Sequence, residues 1–567
     1  MAAWIHLAGK AVAKGLLIAL ALSVSVPLAS AAEDPGWSAI SRGDFAAALQ
    51  YWQPLAAKGD AAAEHGLGFL YYGGKAVQQD YASAFSWYSK SARQGNPYGQ
   101  DALGGLYAKG QGVKQDDAAA ASWYRKAAEQ GLPHAEVSLA AAYLSGRGVA
   151  KNYAEAAKWY AKAAATGNAD AEYALGELAY QGQGRPQDFA TAAQWYTKAA
   201  DGGSAMAQYA LANMYATGRA VLQNWAIAAG WYAKAAEQDI ADAQYRLASL
   251  LADGRGVAKN DAEAAKWYKQ AADQGIAEAQ NALGVFYSTG RGVAKDDAAA
   301  AAWFRKAAEQ GNASAQSNLG DFYATGRGVE QDFAAALSWY SKAAEKGIAA
   351  AQNGLGDLYA HGEGTSRDVM EAIKWYKKAA EQGLAIAATN LGVVYATADG
   401  AAHDLAEAVK WYLMAANKGE PTAQNNLGVL YANGTGVPKD LAEGVKWYRK
   451  AADQGSALAE TNLAGLYSSG HGVTQSDGDA AALYRQAAEQ GYPPAQYFLG
   501  VHYAEGKGVP RDYAQAYFWL NLAAAYAPPG DVRDSAASNR DAVLARLTPE
   551  QLMEQQKAAR EWKPKTP

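Results

Sequence analysis

Polar side chains recur along the chain at a spacing of 36 residues, in a pattern that could bind a partner. Carboxamides both donate and accept hydrogen bonds, so such a row can hold an extended peptide by its backbone. The alternative is that Asn-Leu-Gly is only a structural signature of the repeated unit. The row begins with three tyrosines and continues with amides and one hydroxyl, and its last three members are shifted by one residue. Its members are Tyr173, Tyr209, Tyr245, Asn281, Ser317, Asn353, Asn390, Asn426 and Asn462.

A second row is cationic and lies in turns rich in glycine. Such a row could meet an anionic polysaccharide or an acidic patch of a partner protein. The alternative is that these side chains are solvated loop charges. We call the row the cationic edge, and its members are Arg147, Arg219, Arg255, Arg291 and Arg327.

The sequence contains no motif of a familiar enzyme. It has no G-x-S-x-G, no phosphate-binding loop, no H-E-x-x-H and no cysteine, and its seven histidines are never spaced as metal ligands. The net charge is −5, from 51 basic and 56 acidic residues, whereas nucleic-acid binders usually carry a basic excess. We therefore predict a protein that is not an enzyme, uses no cofactor or metal, and does not bind nucleic acid.

Both rows belong to a unit of two helices that occurs thirteen times. A Trp-Tyr or Trp-Phe pair recurs every 36 residues, and a leucine recurs in the same way without a break from Leu67 to Leu499. In each unit small and apolar residues share one arc of the first helix, and Asp, Asn or Ser stands at the N-cap of the second. The polar rows then lie outside the buried arcs.

The aromatic pair itself is predicted to pack. Trp267 and Tyr268 fall on the same arc as Ala264, which indicates a seam between units and not an exposed stacking platform. Asp239 replaces the glycine that ends the second helix in other units, so we expect a frayed or altered helix end there. Ala398 replaces the first turn glycine of the tenth unit, which predicts a local irregularity.

The N-terminus has the layout of a cleavable signal peptide. Two lysines precede the apolar run "LLIALALSV", and small residues form an A-x-A site that ends at Ala31. We predict cleavage after Ala31, which leaves no integral membrane anchor and places the protein in the periplasm or outside the cell. The alternative is an uncleaved anchor, although the run is shorter than the ~20 residues that a membrane span needs. Without cysteine the chain cannot be attached as a lipoprotein.

The unit written as Ala279 to Gly311 resembles the Sel-one-like repeat (SLR) family, relatives of the tetratricopeptide repeats. The resemblance covers residues 60–527. It implies an α-solenoid whose first helices line the concave side. It also implies a role as adaptor or scaffold for protein complexes, commonly in bacterial envelopes or at host contacts.

We predict an all-α fold, a right-handed superhelical α-solenoid of helix-turn-helix repeats with a 36-residue period. The predicted domains are a signal peptide (1–31), N-terminal capping helices (32–59), thirteen repeats (60–527) and C-terminal capping helices (528–567). The predicted function is an exported scaffold of the bacterial cell envelope that binds one or more proteins on the concave face. The alternatives are an envelope carbohydrate-binding or hydrolase-accessory protein, and a secreted host-interaction protein.

Overall fold

The computed structural model describes residues 34–399 and 403–565, and all the regular elements within these residues are α-helices. The predicted signal peptide and its cleavage site lie outside the described residues. The chain divides into two compact units, Met1–Ile276 and Ala277–Pro567. None of the described helices is both long and apolar enough to span a membrane.

Thirteen helix pairs follow one another, numbered here as repeats 1 to 13, with repeats 1 to 6 in the N-terminal unit and the others in the C-terminal unit. The first helices are Ala61–Gly73, Pro97–Lys109, Pro133–Ser145, Ala169–Gln181, Ala205–Thr217, Ala241–Asp253, Ala277–Thr289, Ala313–Thr325, Ala349–His361, Ala385–Thr397, Pro421–Asn433, Ala457–Ser469 and Pro493–Glu505. The second helices are Tyr81–Arg93, Asp117–Glu129, Tyr153–Ala164, Phe189–Asp201, Trp225–Glu237, Asp261–Asp273, Asp297–Glu309, Phe333–Glu345, Val369–Glu381, Leu405–Asn417, Leu441–Ala452, Asp477–Glu489 and Tyr513–Tyr526.

Additional helices stand at each end of the array. Pro35–Ser41 and Phe45–Ala57 precede repeat 1 and bury Trp52 completely. Asp531–Leu544 and Pro549–Glu561 follow repeat 13. The last of these begins with a capping box, in which Thr548 and Gln551 exchange hydrogen bonds between side chain and backbone. These helices lie where the sequence predicts polar ends for a stack of repeats.

The predicted N-caps of the second helices are confirmed. In repeat 7 the Asp296 carboxylate accepts the backbone N–H of Ala299 at 2.9 Å, and the equivalent Asp, Asn or Ser side chain does the same in the other repeats. Each cap satisfies an amide that the first turn of a helix leaves without a backbone partner.

The turn between the two helices packs against the preceding repeat. In repeat 2 the first turn glycine, Gly110, has φ 67 and ends the first helix, and Gly112 has φ 70. A Cβ atom on Gly112 would lie 2.0 Å from the carbonyl oxygen of Tyr81, at the start of the preceding second helix. The second glycine is therefore required by a close approach between repeats as well as by its backbone conformation.

Asp239 does not fray the helix, so that prediction is wrong. The helix Trp225–Glu237 keeps its full length, and Asp239 adopts the left-handed conformation (φ 68) that glycine has elsewhere. Its backbone N–H still donates to the carbonyl of Ala236 at 3.0 Å. Aspartate tolerates this left-handed conformation better than most residues. At Ala398, by contrast, the backbone leaves the helix in an extended conformation (φ −69, ψ 156), an irregularity that the missing glycine predicts.

The two aromatic residues of each pair have different surroundings. In repeat 8 the ring of Tyr340 lies under Gly320 of its own first helix, where a Cβ atom would approach the ring to 2.6 Å. Trp339 packs instead against the core between repeats 7 and 8, which contains Phe304 of repeat 7 and Leu319 of repeat 8. The predicted seam is confirmed, but the tryptophan is only half-buried there. The ammonium of Lys342 lies 4.0 Å from the centre of its ring.

A buried glutamine on the first helix joins three helices. In repeat 9, Gln352 donates to the carbonyl of Ala344 in repeat 8 at 3.1 Å. It also accepts a hydrogen bond at 2.7 Å from Gln382, the C-cap of the second helix in its own repeat. Glutamines in other repeats make the same two bonds, such as Gln424 with Ala416 and Gln454. We call this arrangement the glutamine clamp. Glutamate takes the position in four repeats, as Glu64, Glu136, Glu172 and Glu460.

Candidate protein-binding face

In each unit some first helices of consecutive repeats lie close together. Examples are Ala61–Gly73 with Pro97–Lys109 and Ala313–Thr325 with Ala349–His361. Each first helix has one side that its second helix does not cover. This side carries four positions of the helix, which are numbered from the buried alanine near the helix start, such as Ala351 in repeat 9. They are the residue directly before this alanine and the residues two, three and six positions after it. We call the surface formed by these positions the inner face.

The three tyrosines of the first row lie on the inner face of repeats 4 to 6. Each ring packs against the aromatic ring of the second helix in its own repeat, with centroids 5.8 Å apart for Tyr173 and Tyr196 and 6.0 Å apart for Tyr245 and Tyr268. Tyr209 makes the same contact at 5.9 Å. The tyrosines are half-buried, so each presents part of its ring as a wall of the inner face.

The amides of the first row lie on the inner face of repeats 7 to 12, where they connect neighbouring repeats. Asn318 donates to Asn281 at 3.0 Å, Asn390 to Asn353 at 3.1 Å, and Asn462 to Asn425 at 2.9 Å. Ser317, a predicted binding residue of the same row, is buried and is not presented to a ligand. Asn425, which bonds to its neighbour Asn426, is also buried. A ligand would therefore meet amides that are already ordered by bonds between repeats.

Carboxyl and amide groups six residues after the buried alanine add a feature that the sequence analysis did not single out. The Tyr196 hydroxyl donates to Glu177 at 2.5 Å, the Tyr232 hydroxyl to Asn213 at 2.7 Å, and the Tyr376 hydroxyl to Asp357 at 2.7 Å. The available signal was an acidic residue at this position in repeats 4, 8 and 9. The buried tyrosines of the second helices thus reach the inner face through their hydroxyl groups.

Burial shifts the titration of these carboxyl groups. Desolvation raises the pKa of Glu177, and the hydrogen bond from Tyr196 offsets part of this rise. Desolvation likewise raises the pKa of Asp357, against the hydrogen bond from Tyr376. The inner face therefore holds negative charge in surroundings that solvate it poorly.

The arginines of the cationic edge have partners in the protein. Arg147 pairs with Asp117 at 3.0 Å and Arg327 with Asp297 at 2.9 Å, in each case the first residue of the preceding second helix. The other three lie over aromatic rings: Arg219 over Phe189 at 4.9 Å, Arg255 over Trp225 at 4.9 Å and Arg291 over Phe286 at 4.7 Å. Several of these contacts join neighbouring repeats, and the binding of an anion by this edge stays a prediction.

Within residues 34–399 and 403–565, no group of three or more His, Cys, Asp or Glu side chains is arranged to hold a metal ion. The histidines have separate surroundings. His65 is buried among aromatic rings, and desolvation lowers its pKa to about 4. His134 lies 2.7 Å from Asp101, and this hydrogen bond raises its pKa.

The model of the Sel1 repeat family matches most of the chain. The matched segments are residues 61–96, 97–132, 133–168, 169–204, 205–240, 241–276, 277–312, 313–348, 349–384, 385–420, 421–456, 457–492 and 493–525. A search of curated proteins gave no match.

The solved structures that are similar to this chain include two other proteins of the same repeat type. One is a protective antigen present in uropathogenic Escherichia coli strains that displays an SLR fold. It is 35% identical, with a TM-score of 0.65, and the alignment covers 78% of this chain and 94% of that one. The other, a Sel1 repeat protein from Oxalobacter formigenes, is 36% identical over 57% of this chain and 94% of its own, with a TM-score of 0.43.

Proposed function

The chain belongs to the Sel1 repeat family, whose members generally mediate protein–protein interactions, and on that premise we propose that it is an exported scaffold of the bacterial cell envelope. It binds a partner protein on the inner face. Export is supported by the N-terminal sequence, which has the charged, apolar and small-residue regions of a signal peptide.

The inner face is proposed as the binding site because its residues vary between repeats, whereas the residues that pack the repeats together do not. The residues that pack one repeat on the next are nearly the same in every repeat, as at Ala279, Leu283 and their equivalents. The inner face changes from tyrosines in repeats 4 to 6 to amides in repeats 7 to 12. Positions that differ between repeats of otherwise constant sequence can distinguish one partner from another.

A second candidate function is contact with a host. It is favoured by one observation, that a relative 35% identical to this chain is described as a protective antigen of uropathogenic Escherichia coli strains. In that case the partner of the inner face belongs to the host and not to the bacterial envelope.

Affinity capture tests the proposal. The purified full chain is incubated with envelope extract and, separately, with host-cell extract, and the bound proteins are identified by mass spectrometry. A blocked variant carries Ala210→Arg, Ala350→Arg and Thr422→Arg, which place long charged side chains on the inner face of repeats 5, 9 and 11. We expect a discrete set of envelope proteins that the blocked variant does not capture.

The matched control carries three arginines on exposed positions of the second helices, Ala262→Arg, Ala298→Arg and Ala334→Arg. It should capture the same proteins as the unmodified chain. Equal capture by the blocked variant would contradict binding on the inner face. Capture from host extract alone would favour the second candidate, and retention on glycans without protein would favour the carbohydrate-binding alternative.

A further inference from the structure

Exposed apolar side chains mark one end of the inner face. Within the part of the chain that the structure describes, the large apolar residues of the first helices that are most exposed all lie in repeats 10 to 13. Ile386 is 53% exposed, Val393 36%, Leu458 42% and Phe498 39%. Each occupies an inner-face position, so the four belong to one surface and are not scattered over the protein.

This apolar stretch also contains the amides and is ordered before any ligand binds. Asn390 in repeat 10 and Asn462 in repeat 12 occupy the helix position that Phe498 occupies in repeat 13. Their side chains are held by the hydrogen bonds between repeats described above. The ring of Phe498 stacks on Tyr484, with centroids 5.1 Å apart. The amides can form hydrogen bonds with the backbone of an extended peptide, and the apolar groups can pack against its side chains.

The part of the inner face in repeats 8 and 9 of the same unit is anionic. The seven first helices of the C-terminal unit contain no lysine or arginine. Asp321 and Asp357 occupy its inner face in repeats 8 and 9. The turn residue Arg327 lies 3.9 Å from Asp321 and also pairs with Asp297. A cationic side chain is the complement of such a surface.

Asp357 is held by neutral groups. Its carboxylate accepts the Tyr376 hydroxyl at 2.7 Å and the side-chain amides of Asn353 at 2.9 Å and Asn390 at 3.2 Å. These donors fix the position of the carboxylate without supplying a positive charge, and desolvation raises its pKa. A basic group of a ligand would form a charge-assisted bond with a carboxylate that is already oriented.

Resting on the proposed function, we propose that the inner face of repeats 8 to 13 binds an extended segment of a partner protein with a basic residue at one end and apolar residues after it. The basic side chain lies at Asp321 and Asp357, and the apolar side chains lie against Val393, Leu458 and Phe498. Packed helices are about 8–10 Å apart and an extended chain advances about 3.3 Å per residue, so about three ligand residues span one repeat.

Selection from a library of random peptides tests this inference. The full chain is immobilised, and peptides of about 16 residues, long enough for roughly five repeats, are selected for binding. We expect the selected peptides to share a basic residue at one end and apolar residues separated by multiples of about three positions. Acidic peptides, apolar peptides without a basic residue, or a failure to enrich any peptide would overturn the inference.

Variants locate the binding of the selected peptides. Asp321→Asn with Asp357→Asn should remove the preference for the basic residue. Val393→Ser, Leu458→Ser and Phe498→Ser together should lower the affinity by about tenfold or more. The control, Met370→Ser with Met414→Ser, removes exposed apolar groups from second helices and should bind as the unmodified chain does. Unchanged binding by both test variants would also overturn the inference.

The two proposals fail in different ways. If the arginine-blocked variant loses its envelope partner but the peptide selection yields no such peptide, the scaffold function stands and this assignment of the ligand fails. If the peptides bind as expected but no envelope or host protein is captured, the proposed function fails. The assignment of the inner face as a site for basic and apolar peptides then stands. Circular dichroism melts of all variants show whether each retains the fold.

Discussion

At the scale of single residues, helical phase predicted which side chains share an arc but not which edge of the arc is covered. Trp267 and Tyr268 lie at opposite edges of the buried arc of one helix. The edge at Tyr268 meets the first helix of the same repeat and is 5% exposed, whereas Trp267 is only half-buried at the seam. Phase within one helix contains no information about how neighbouring helices are placed, so this difference required the structure.

The first prediction concerns this pair. Tyr268→Ala should cost about 3–5 kcal/mol of unfolding free energy, because it removes a fully packed ring and leaves a cavity under the first helix. Trp267→Ala should cost less, because part of its ring already contacts water. Urea unfolding followed by circular dichroism measures both. A larger effect for Trp267→Ala would contradict the account of the seam.

The second prediction concerns the left-handed residue Asp239. Asp239→Val should lower the unfolding free energy by about 1–2 kcal/mol, because a β-branched residue resists positive φ. Asp239→Gly should be at least as stable as the unmodified chain, because glycine adopts this conformation without strain. Thermal melts of the two variants give the order, and equal stability of Val and Gly would show that the turn relaxes.

At the scale of helices, the sequence predicted the repeats, their caps and their turns because each follows from local spacing. It did not predict the glutamine clamp. A polar residue beside the buried alanine is ordinarily expected at the surface, yet Gln352 and its equivalents are buried. Their burial depends on a carbonyl in the preceding repeat and an amide 30 residues later in the same repeat, such as Ala344 and Gln382. Such a pair of partners becomes visible only when the repeats are stacked.

The third prediction concerns the repeats in which glutamate replaces the buried glutamine of the glutamine clamp. Burial raises the pKa of Glu460 to about 7, and Gln490 donates to it at 3.0 Å. Since the folded state holds this proton more tightly than the unfolded state, the stabilisation is full below the ordinary glutamate pKa and is lost as pH rises through about 7. Stability should therefore fall between pH 5 and pH 8.

Glu460→Gln should reduce this pH dependence and add about 1 kcal/mol of stability at pH 8, because glutamine can donate to the backbone carbonyl at any pH. Urea unfolding at pH 5 and pH 8 measures the change. The matched control is Glu381→Gln, at an exposed residue of a second helix, which should leave the pH dependence as it is. An unaltered pH dependence in Glu460→Gln would exclude the clamp as its source.

At the scale of the whole molecule, the repeated sequence was sufficient for the fold class. It also placed the row of tyrosines and amides on the uncovered side of the first helices and the cationic edge in the turns. It could not show that Asn390 and Asn353 bond to each other across repeats, or that Arg327 is paired with Asp297. These partners lie about one repeat apart in sequence and meet only through stacking. These amides and arginines thus connect neighbouring repeats, in addition to any ligand that they bind.

The fourth prediction concerns the maturation of the chain. The signal sequence predicts removal of residues 1–31, so N-terminal sequencing of the protein recovered from outside the cytoplasm should begin at or within a residue of Ala32. Replacing Ala29 and Ala31 with bulky residues should block cleavage, because the peptidase site requires small side chains. Recovery of a mature protein that retains Met1 would contradict export by this route.

The central claim is that a protein partner binds on the inner face, and site-specific photo-crosslinking in the producing cell tests it most directly. A photoreactive residue replaces Ala282, Ala350 or Thr422 on the inner face, or Ala262, Ala298 or Ala334 on the second helices as controls. Our account predicts a discrete crosslinked protein from one or more inner-face positions and none from the controls. Crosslinks from the control positions alone, or from neither set, would contradict it.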